Sequence, residues 1–338
     1  MKKVAVIGVG SMGQNHARIY FHSDNAQLVA VADRDREHGE KIAKKYNAQF
    51  YSDYKELLDR KDLEAVSIAV PTSLHREVAL SALNSKKHVL LEKPIAMNGQ
   101  EAEEIIAAAK RNNVTLMIGH IERFNTAIVE LKERLNRGDL GEIYKIDAQR
   151  IGPFPARITD VGVITDLSVH DLDIINYLLG AEPVRIYAET QQRLHPQHED
   201  SVTALVNYDN GVLAVLNINY LSPTKIRQLQ VFGKKGMFRV NYLDQELFFY
   251  ENKSFVSNDW ESVSEGDMKK IIVPKKEPLH LEIEAFLDCL ERKTEPPVKG
   301  EDALKILSLA GLLLRSAQKK KVMDLPALRN QLTDQPRN

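Results

Sequence analysis

A short apolar strand that runs straight into a glycine-rich loop constrains the fold of this chain more than any other feature. Residues 3–7 have the composition of a buried strand, Gly8-Val9-Gly10-Ser11-Met12-Gly13 follows, and a helical pattern begins at Asn15. In this arrangement the first glycine makes a tight turn, the second admits a pyrophosphate to the backbone, and the third lets helix and strand pack closely. Because three glycines in six residues also form ordinary turns, the interpretation rests on the surrounding sequence.

An acidic residue at the expected distance favours a dinucleotide site. Asp33 follows Gly13 by twenty residues and ends the second strand candidate, where a carboxylate accepts hydrogen bonds from the adenosine ribose hydroxyls. Arg34 beside it is either a solvated loop charge or a partner for a 2′-phosphate. We therefore predict NAD as the cofactor, with NADP as the alternative. The predicted contacts from this part of the chain are Gly8, Gly10, Ser11, Met12, Gly13, Asp33 and Arg34.

Strand and helix patterns alternate throughout the first half of the chain. Helical segments at 36–46, 74–83 and 100–112 separate the β-branched runs, so each strand is expected to lie parallel to the others. This alternation predicts an α/β fold that begins with a Rossmann domain over residues 1–121, built on a doubly wound parallel sheet. The strand candidates are residues 4–7, 28–32, 65–70, 89–91 and 116–118.

After Phe124 the pattern changes to one amphipathic helix followed by alternating strands. Strict alternation indicates a sheet with two different faces, and Asp209-Asn210-Gly211 and Lys234-Lys235-Gly236 have the composition of hairpin turns. Residues 122–338 are therefore predicted to form a C-terminal α+β domain with a large, mainly antiparallel open sheet and helices on one face. A second copy of the chain is the expected cover for the other face, which predicts a homodimer or homotetramer. The strand candidates are residues 143–149, 184–190, 201–208, 212–220, 228–232, 237–242 and 246–250.

Length, charge and cysteine usage exclude several classes of protein. The 338 residues, 43% of them hydrophobic, suffice for two cores. With 46 basic and 47 acidic residues, the formal charge of −1 provides no overall attraction to nucleic acid or to an anionic membrane. Cys289 is the only cysteine, and no Cys/His cluster has metal-ligand spacing. We expect a cytoplasmic protein without a disulfide or a metal, bound neither to nucleic acid nor to a membrane.

Two segments follow strands of the first half, at the sheet edge where ligands bind. The lysine of Glu92-Lys93-Pro94 can orient a substrate hydroxyl or join a proton relay, although a free lysine amine, which titrates near pH ~10, is a poor base. The alternative is a surface lysine in a turn. Pro71-Thr72-Ser73-Leu74-His75 either lines the cofactor cleft or supplies a helix cap. The further predicted cofactor contacts are Pro71, Thr72, His75, Glu92, Lys93 and Pro94.

A helical pattern from Asp166 to about residue 179 carries the next group of polar side chains. Asp166 and His170 are four residues apart and share one face with Asp173 and Tyr177. Such a polar face meets either a site or solvent. Asp171 falls within the opposite, apolar arc, where a carboxylate needs a buried partner.

These motifs together resemble the Gfo/Idh/MocA family of NAD(P)-dependent sugar and polyol oxidoreductases, over essentially the whole chain. The resemblance rests on the glycine loop, on Glu92-Lys93-Pro94, on Arg123-Phe124-Asn125, and on Asp166 with His170 at the family's spacing. It implies that Lys93, Asp166 and His170 surround the reacting carbinol. We accordingly predict a hydride transfer to the nicotinamide in which His170 takes the hydroxyl proton, Lys93 stabilises the alkoxide, and Asp166 orients the basic groups.

Residues 119–125, 150–158 and 160–164 resemble the nucleotide-sugar branch of that family, which includes UDP-N-acetylglucosamine 3-dehydrogenases. Guanidinium forks suit a diphosphate, so Arg123, Arg150 and Arg157 are predicted to clamp one, with Asn125 and His170 as further substrate contacts. The alternative for the arginines is ion pairing within the protein. The expected reaction is oxidation of a sugar-ring hydroxyl, at the 3-position of a UDP-amino sugar.

Three other functions remain open on sequence grounds. A free polyol or sugar dehydrogenase, such as an inositol dehydrogenase, needs no diphosphate clamp. An NAD-dependent glycosidase of the same fold oxidises its substrate only transiently. A catalytically silent sugar sensor needs no proton relay, so the intact Lys93, Asp166 and His170 argue against it.

Overall fold

The computed structural model describes residues 1–155, 161–252 and 266–325. The chain divides into two units, of which the first comprises Met1–Ile121 and Glu277–Ser308. The second comprises Glu122–Lys276 and the described residues from Leu309 onward. Our sequence-based division assigned everything after residue 121 to the second domain, so the structure differs for Glu277–Ser308.

The first unit is built on a sheet of six parallel strands, which are β1 (Lys2–Ile7), β2 (Ala26–Ala32), β3 (Gln49–Tyr51), β4 (Ala65–Ile68), β5 (His88–Glu92) and β6 (Leu116–Gly119). Their order across the sheet is β3-β2-β1-β4-β5-β6, so the chain reverses its direction of winding between β1 and β4. Ligands of doubly wound sheets bind at the carboxyl ends of the strands near this reversal. Strand β4 is buried at every residue because both faces of the sheet are covered.

Helices connect these strands, namely α1 (Gly13–His22), α2 (Arg36–Lys45), α3 (Tyr54–Leu58), α4 (His75–Asn84) and α5 (Gly99–Asn112). Three of these helices begin directly after a residue that caps them. Asp35, Asp53 and Asn98 each accept a backbone N–H group from the first turn of α2, α3 and α5, respectively. The sequence patterns did not reveal β3 and α3, which are three and five residues long. Elements this short contain too few residues to show the repeating pattern of apolar positions by which a strand or a helix is recognised.

Residues 277–308 join the first unit because their helices bury apolar faces there. Helix α8 (Pro278–Arg292) packs against α1 and buries Ile283 and Phe286 completely. Polar contacts reinforce this packing, since Ser23 Oγ and Asn25 Nδ2 each donate to the Glu284 carboxylate over 2.8 Å. Helix α9 (Gly300–Lys319) begins in the first unit, and the boundary between the units falls inside it.

The second unit is built on a nine-stranded sheet, whose strands are β7 (Ile143–Pro153), β8 (Pro183–Gln191), β9 (Ser201–Tyr208), β10 (Leu213–Asn219), β11 (Leu221–Gly233), β12 (Gly236–Asn241), β13 (Glu246–Glu251), β14 (Met268–Ile271) and β15 (Met323–Asp324). All neighbouring pairs are antiparallel except β7 and β10. The predicted combination of a Rossmann domain with a large, mainly antiparallel sheet is thereby confirmed. Strands β14 and β15 were not expected from the sequence.

Two helices lie on one face of this sheet. Helix α6 (Thr126–Asn136) contacts β12 and β13, and α7 (Val169–Leu179) contacts β7. A π-helical turn at Ile164–Ser168 leads into α7. The predicted helix from Asp166 therefore begins as a wider turn, which places its first residues differently from a regular α-helix. In the described parts of the chain, none of the helices has the length and apolar character required to cross a membrane.

Candidate active site

The glycine loop has the geometry that a bound pyrophosphate requires. Gly8 has φ +81°, and a Cβ there would lie 2.8 Å from the Ala69 carbonyl oxygen. A Cβ on Gly13 would lie 1.8 Å from the Gly8 oxygen, so only glycine allows the helix to start this close to the strand. Around Gly10 a Cβ would meet no atom within 4 Å, so the loop is open where a phosphate would approach.

The start of α1 supplies the complementary charge. Ser11 is exposed, Met12 occupies the N-cap position, and the first turn contains no acidic residue. The helix dipole and the open loop at Gly10 therefore favour an anion here. The residues that would hold a dinucleotide thus fit it in both shape and charge.

A cavity of about 400 Å³ continues from this loop along the first unit. It is lined by Gly8, Gly10, Asp33, Arg34 and Pro71 among the predicted cofactor residues. Asp33 is held in place because its Oδ2 accepts the Val9 N–H over 2.7 Å and its Oδ1 accepts the Asp35 N–H over 2.9 Å. A carboxylate has about four lone-pair positions, so acceptor capacity remains for ribose hydroxyls. Further lining residues, not predicted as cofactor contacts, include Ser52, Tyr54, Leu74 and Val78.

Two buried histidines bracket the turn that carries Lys93. The Glu92 carboxylate lies 3.0 Å from His16 Nε2, and Lys93 follows at the carboxyl end of β5. Burial alone would raise the pKa of Glu92, but the hydrogen bond and charge of His16 hold that pKa below its usual value. The side chain of Glu92, which the sequence predicts as a cofactor contact, therefore contacts a protein partner. The sequence patterns do not point to that partner, His16.

His75 holds the other side of this turn from within the core. Its Nδ1 lies 2.8 Å from the Pro94 carbonyl oxygen, and its Nε2 lies 3.0 Å from that of Val70. Burial lowers the pKa of His75, so the neutral ring donates to one of the two carbonyls. Its position links the Lys93 turn to the segment at Pro71 and Thr72, where Thr72 begins a 3-10 turn. His75 itself is 1% exposed.

In the second unit, the π-helical turn and α7 carry the remaining proposed catalytic residues. Asp166 lies in the turn, and its Oδ2 accepts a hydrogen bond from the Tyr220 hydroxyl over 2.7 Å. His170 lies in the first turn of α7 and is partly exposed. Tyr220 had not been singled out, because an aromatic residue at a strand end gives no sequence signal of its own.

Asp171 has the buried partner that the sequence required, and this partner is Arg150. The guanidinium donates from Nε to Asp171 Oδ2 over 2.6 Å and from Nη1 to Glu122 Oε1 over 2.9 Å, and Arg150 is 1% exposed. Burial would lower the pKa of Arg150, but the two carboxylates raise it above its usual value. The prediction that Arg150 clamps a diphosphate is therefore corrected, because the Arg150 guanidinium is buried and bound to two carboxylates of the protein.

Arg123 and Asn125 are also engaged within the second unit. Arg123 binds Asp173 through two nitrogens, at 2.9 and 2.6 Å, so the polar face of α7 contacts protein and not only solvent. Asn125 is 2% exposed, caps α6 through the Ala127 N–H and donates to the Tyr242 carbonyl. These contacts correspond to the ion-pairing alternative for Arg123 and to a capping role for Asn125. The third predicted clamp residue, Arg157, lies outside the described residues.

Comparisons with known proteins identify the family of the chain. Residues 2–120 match the family model described as "Oxidoreductase family, NAD-binding Rossmann fold", and residues 128–239 match the "GFO/IDH/MocA C-terminal domain". The UDP-N-acetylglucosamine 3-dehydrogenase of Acidithiobacillus ferrooxidans is 31% identical over 308 residues, which cover 91% of this chain and 95% of the relative. The chain belongs to the Gfo/Idh/MocA family of oxidoreductases.

Two further comparisons show which members of the Gfo/Idh/MocA family this chain is similar to. The scyllo-inositol 2-dehydrogenase (NAD(+)) of Bacillus subtilis is 27% identical and covers 89% of this chain and 90% of its own. A solved structure of the A. ferrooxidans UDP-N-acetylglucosamine 3-dehydrogenase superposes with a TM-score of 0.83 at 29% identity, covering 94% of this chain and 98% of the other. The protein is thus an NAD(P)-dependent dehydrogenase acting on CH–OH groups, within a family of sugar oxidoreductases.

Proposed function

We propose that this enzyme oxidises a ring hydroxyl of a UDP-amino sugar, at the 3-position of a UDP-N-acetylglucosamine-like substrate. The observation that carries the proposal is the similarity, over 91% of this chain and 95% of the relative, to a UDP-N-acetylglucosamine 3-dehydrogenase. The glycine loop, the cavity at Asp33 and the lysine at the end of β5 support a dehydrogenase reaction in general, and they do not depend on which sugar is bound.

Three side chains are assigned roles in this reaction. NAD, when bound, supplies the hydride acceptor. His170 accepts the proton of the substrate hydroxyl, since imidazole titrates close to neutral pH. The Lys93 ammonium stabilises the negative charge that develops on the oxygen, and the Asp166 carboxylate orients the basic groups. Lys93 and Asp166 lie in segments with further fixed contacts, at the His16–Glu92 pair and at Tyr220 respectively.

NAD is the proposed cofactor in preference to NADP. Asp33 lines the cavity with its carboxylate held by two backbone N–H groups, and a fixed negative charge there repels a 2′-phosphate. Arg34 lines the same cavity but is exposed, so its attraction for a 2′-phosphate is weak compared with the repulsion from Asp33. Comparing kcat/KM with NAD and NADP tests the assignment, and a preference for NADP contradicts it.

The internal pairing of Arg123 and Arg150 favours a second candidate function. Both guanidinium groups are bound to carboxylates of the protein. Of the three arginines predicted to clamp a diphosphate, Arg157 is then the one left for that role. A dehydrogenase of a free polyol needs no such clamp, and the relatives include a scyllo-inositol 2-dehydrogenase. Oxidation of a free inositol or sugar is therefore the alternative.

A substrate comparison separates these candidates. NADH formation is measured with purified enzyme and NAD, offering UDP-N-acetylglucosamine, myo-inositol, scyllo-inositol, glucose and N-acetylglucosamine at matched concentrations. Turnover restricted to the UDP-sugar supports the proposal, whereas turnover of a free polyol or sugar overturns it in favour of the alternative. Release of an aglycone without net NADH indicates a glycosidase, and binding without either reaction indicates a sensor.

We also propose that a second copy of the chain covers the outer face of the nine-stranded sheet. Register places Tyr187, Leu205 and Val215 side by side, and the row continues through Asp147 on β7. None of these four side chains is buried in the single chain, and Leu205 is 40% exposed on β9, an interior strand of the sheet. Neighbouring apolar side chains that remain accessible form a patch, and such patches mark protein–protein contact sites.

A further inference from the structure

Tyr220 connects the end of β10 to the turn that carries Asp166. The residue is 3% exposed, and its hydroxyl lies 2.7 Å from Asp166 Oδ2. At neutral pH a phenol keeps its proton and a carboxylic acid has lost its proton, so the hydroxyl is the donor. Hydrogen bonds to an ionised acceptor are roughly twice as strong as those between neutral groups.

Tyr220 is itself held from two directions. Its backbone N–H donates to the Asp200 carbonyl over 2.9 Å, and the Phe154 ring packs edge-on with a centroid distance of 5.9 Å. Asp200 is fixed in turn, because its Oδ2 accepts the backbone N–H groups of Arg193, Leu194 and His195. The phenol therefore has a defined position before any ligand arrives.

The segment around Asp166 departs from regular α-helical geometry. Asp166 lies in a π-helical turn, an irregular geometry that is frequent at functional sites. Glu199 holds the backbone at the start of this turn. Its backbone and side-chain oxygens accept the N–H groups of Val163 and Ile164, respectively. These contacts fix the backbone, whereas the Tyr220 hydroxyl fixes the carboxylate itself.

We propose that Tyr220 is a positioning residue of the dehydrogenase reaction, acting through Asp166. By binding Oδ2, it sets the rotation of the carboxylate that orients the proton-transferring groups. The inference rests on the proposed function of Asp166, and it adds a residue that touches neither the cofactor nor the reacting atoms in the proposed scheme.

The test uses Tyr220→Phe, with Tyr208→Phe as the matched control. Tyr208 is a second buried tyrosine of the same unit, 2% exposed, whose hydroxyl accepts a hydrogen bond from Asn176 over 3.2 Å. Both variants remove one buried hydroxyl. We expect kcat to fall by roughly ten- to a hundredfold in Tyr220→Phe, with KM and NAD affinity nearly unchanged, because a hydrogen bond to a charged group is lost. Tyr208→Phe should keep the wild-type kcat, and equal kcat losses in the two variants overturn the inference.

A double-mutant cycle shows whether Tyr220 acts through Asp166. If it does, Tyr220→Phe costs little further turnover once Asp166→Asn has removed the carboxylate. Multiplicative losses in the double variant contradict the inference.

A readout without turnover keeps this inference separate from the substrate proposal. In protein with 13C-labelled aspartate carboxyl groups, Tyr220→Phe should shift the Asp166 resonance, and Tyr208→Phe should not. An unmoved resonance overturns the inference whatever the substrate is. Absence of NADH with every alcohol tested, together with a shifted resonance, counts against the proposed function and leaves the Tyr220–Asp166 contact established.

Discussion

At the scale of single residues, the proposed chemistry depends on side chains whose surroundings are fixed by buried groups. Lys93 follows Glu92, which His16 holds from inside the first unit, and His75 contacts the carbonyl oxygen of Pro94 on the other side. A catalytic group gains most from this kind of support, because a displacement of about 1 Å can cost roughly a hundredfold in rate. The two histidines therefore matter to the site without being reacting groups in the scheme.

Replacing Lys93 tests its role directly. Lys93→Met should lower kcat by about 10²- to 10⁴-fold, because the variant cannot stabilise the developing alkoxide, whereas the dissociation constant for NAD should stay unchanged. Steady-state rates and calorimetric titration with NAD provide the two measurements. Lys41→Met, an exposed lysine on α2, is the control and should behave as wild type. Wild-type turnover in Lys93→Met would sink the proposed scheme.

At the scale of structural elements, the second unit is organised around buried charge. Arg150 on β7 joins Asp171 on α7 to Glu122 in the 3-10 turn Ile121–Phe124, and its guanidinium lies 5.2 Å from the centre of the Tyr242 ring. The arrangement ties three separate elements together close to His170 in the chain. A buried ion pair need not add net stability, but removal of one partner leaves the others charged and desolvated.

Removal of the Arg150 guanidinium should therefore be costly. We expect Arg150→Met to lower the free energy of unfolding by about 3–5 kcal/mol, since Asp171 and Glu122 are left without their cation. Arg36→Met is the control, because Arg36 pairs with Glu40 on α2 at side-chain exposures of 77% and 52%. Exposed pairs contribute about 0–1 kcal/mol. Urea unfolding of both variants measures the difference, and similar losses would show that Arg150 is not a buried structural cation.

Asp200 makes the stability of its loop dependent on pH. Burial would raise its pKa, but three backbone N–H groups hold the pKa below its usual value. Since the folded-state pKa lies below that of the unfolded chain, the contribution to stability is complete at neutral pH and is lost as the pH falls through the folded-state pKa.

The corresponding variant is Asp200→Asn. It should be less stable than wild type by about 1–3 kcal/mol at pH 7, and the difference should shrink as the pH is lowered below about 4. Unfolding curves recorded across this range provide the measurement. Asp267→Asn, at an exposed carboxylate of the same unit, should show no such pH-dependent difference. A constant difference for Asp200→Asn would contradict the assignment of the stabilisation to the ionised carboxylate.

At the scale of the whole molecule, the nine-stranded sheet has one face covered by helices and one face that the single chain does not bury. Leu205 on this outer face is 40% exposed although its strand, β9, has a neighbouring strand on each side. Apolar side chains at such positions contribute about 25 cal/mol for each Å² that a partner removes from water. The proposed self-association follows from this geometry.

A charge at the centre of that face should prevent assembly. We expect Leu205→Lys to shift the protein from oligomer to monomer in light scattering coupled to size exclusion, because two desolvated ammonium groups would be buried in a symmetric interface. Val129→Lys, on the covering helix α6 and 36% exposed, should keep the wild-type mass. A monomeric wild-type protein, or an unchanged mass for Leu205→Lys, would contradict the proposed interface.

The sequence by itself determined the class of fold and the family, because both depend on local patterns. The strand, glycine loop and helix at residues 3–15 and the alternation of residues 143–149 specify their elements within short windows. The position of Asp171 within an apolar arc also predicts, from the sequence alone, that its carboxylate has a buried partner. What the sequence left undecided was which residue would meet that carboxylate.

Only the tertiary structure decided how charged residues are shared between core and site. Arg150 and Asp171 are 21 residues apart, Tyr220 and Asp166 are 54 apart, and His16 and Glu92 are 76 apart. Such pairings depend on strand order and register, which no local period encodes. The same holds for Glu277–Ser308, whose membership of the first unit follows from the apolar surface that α1 offers to α8.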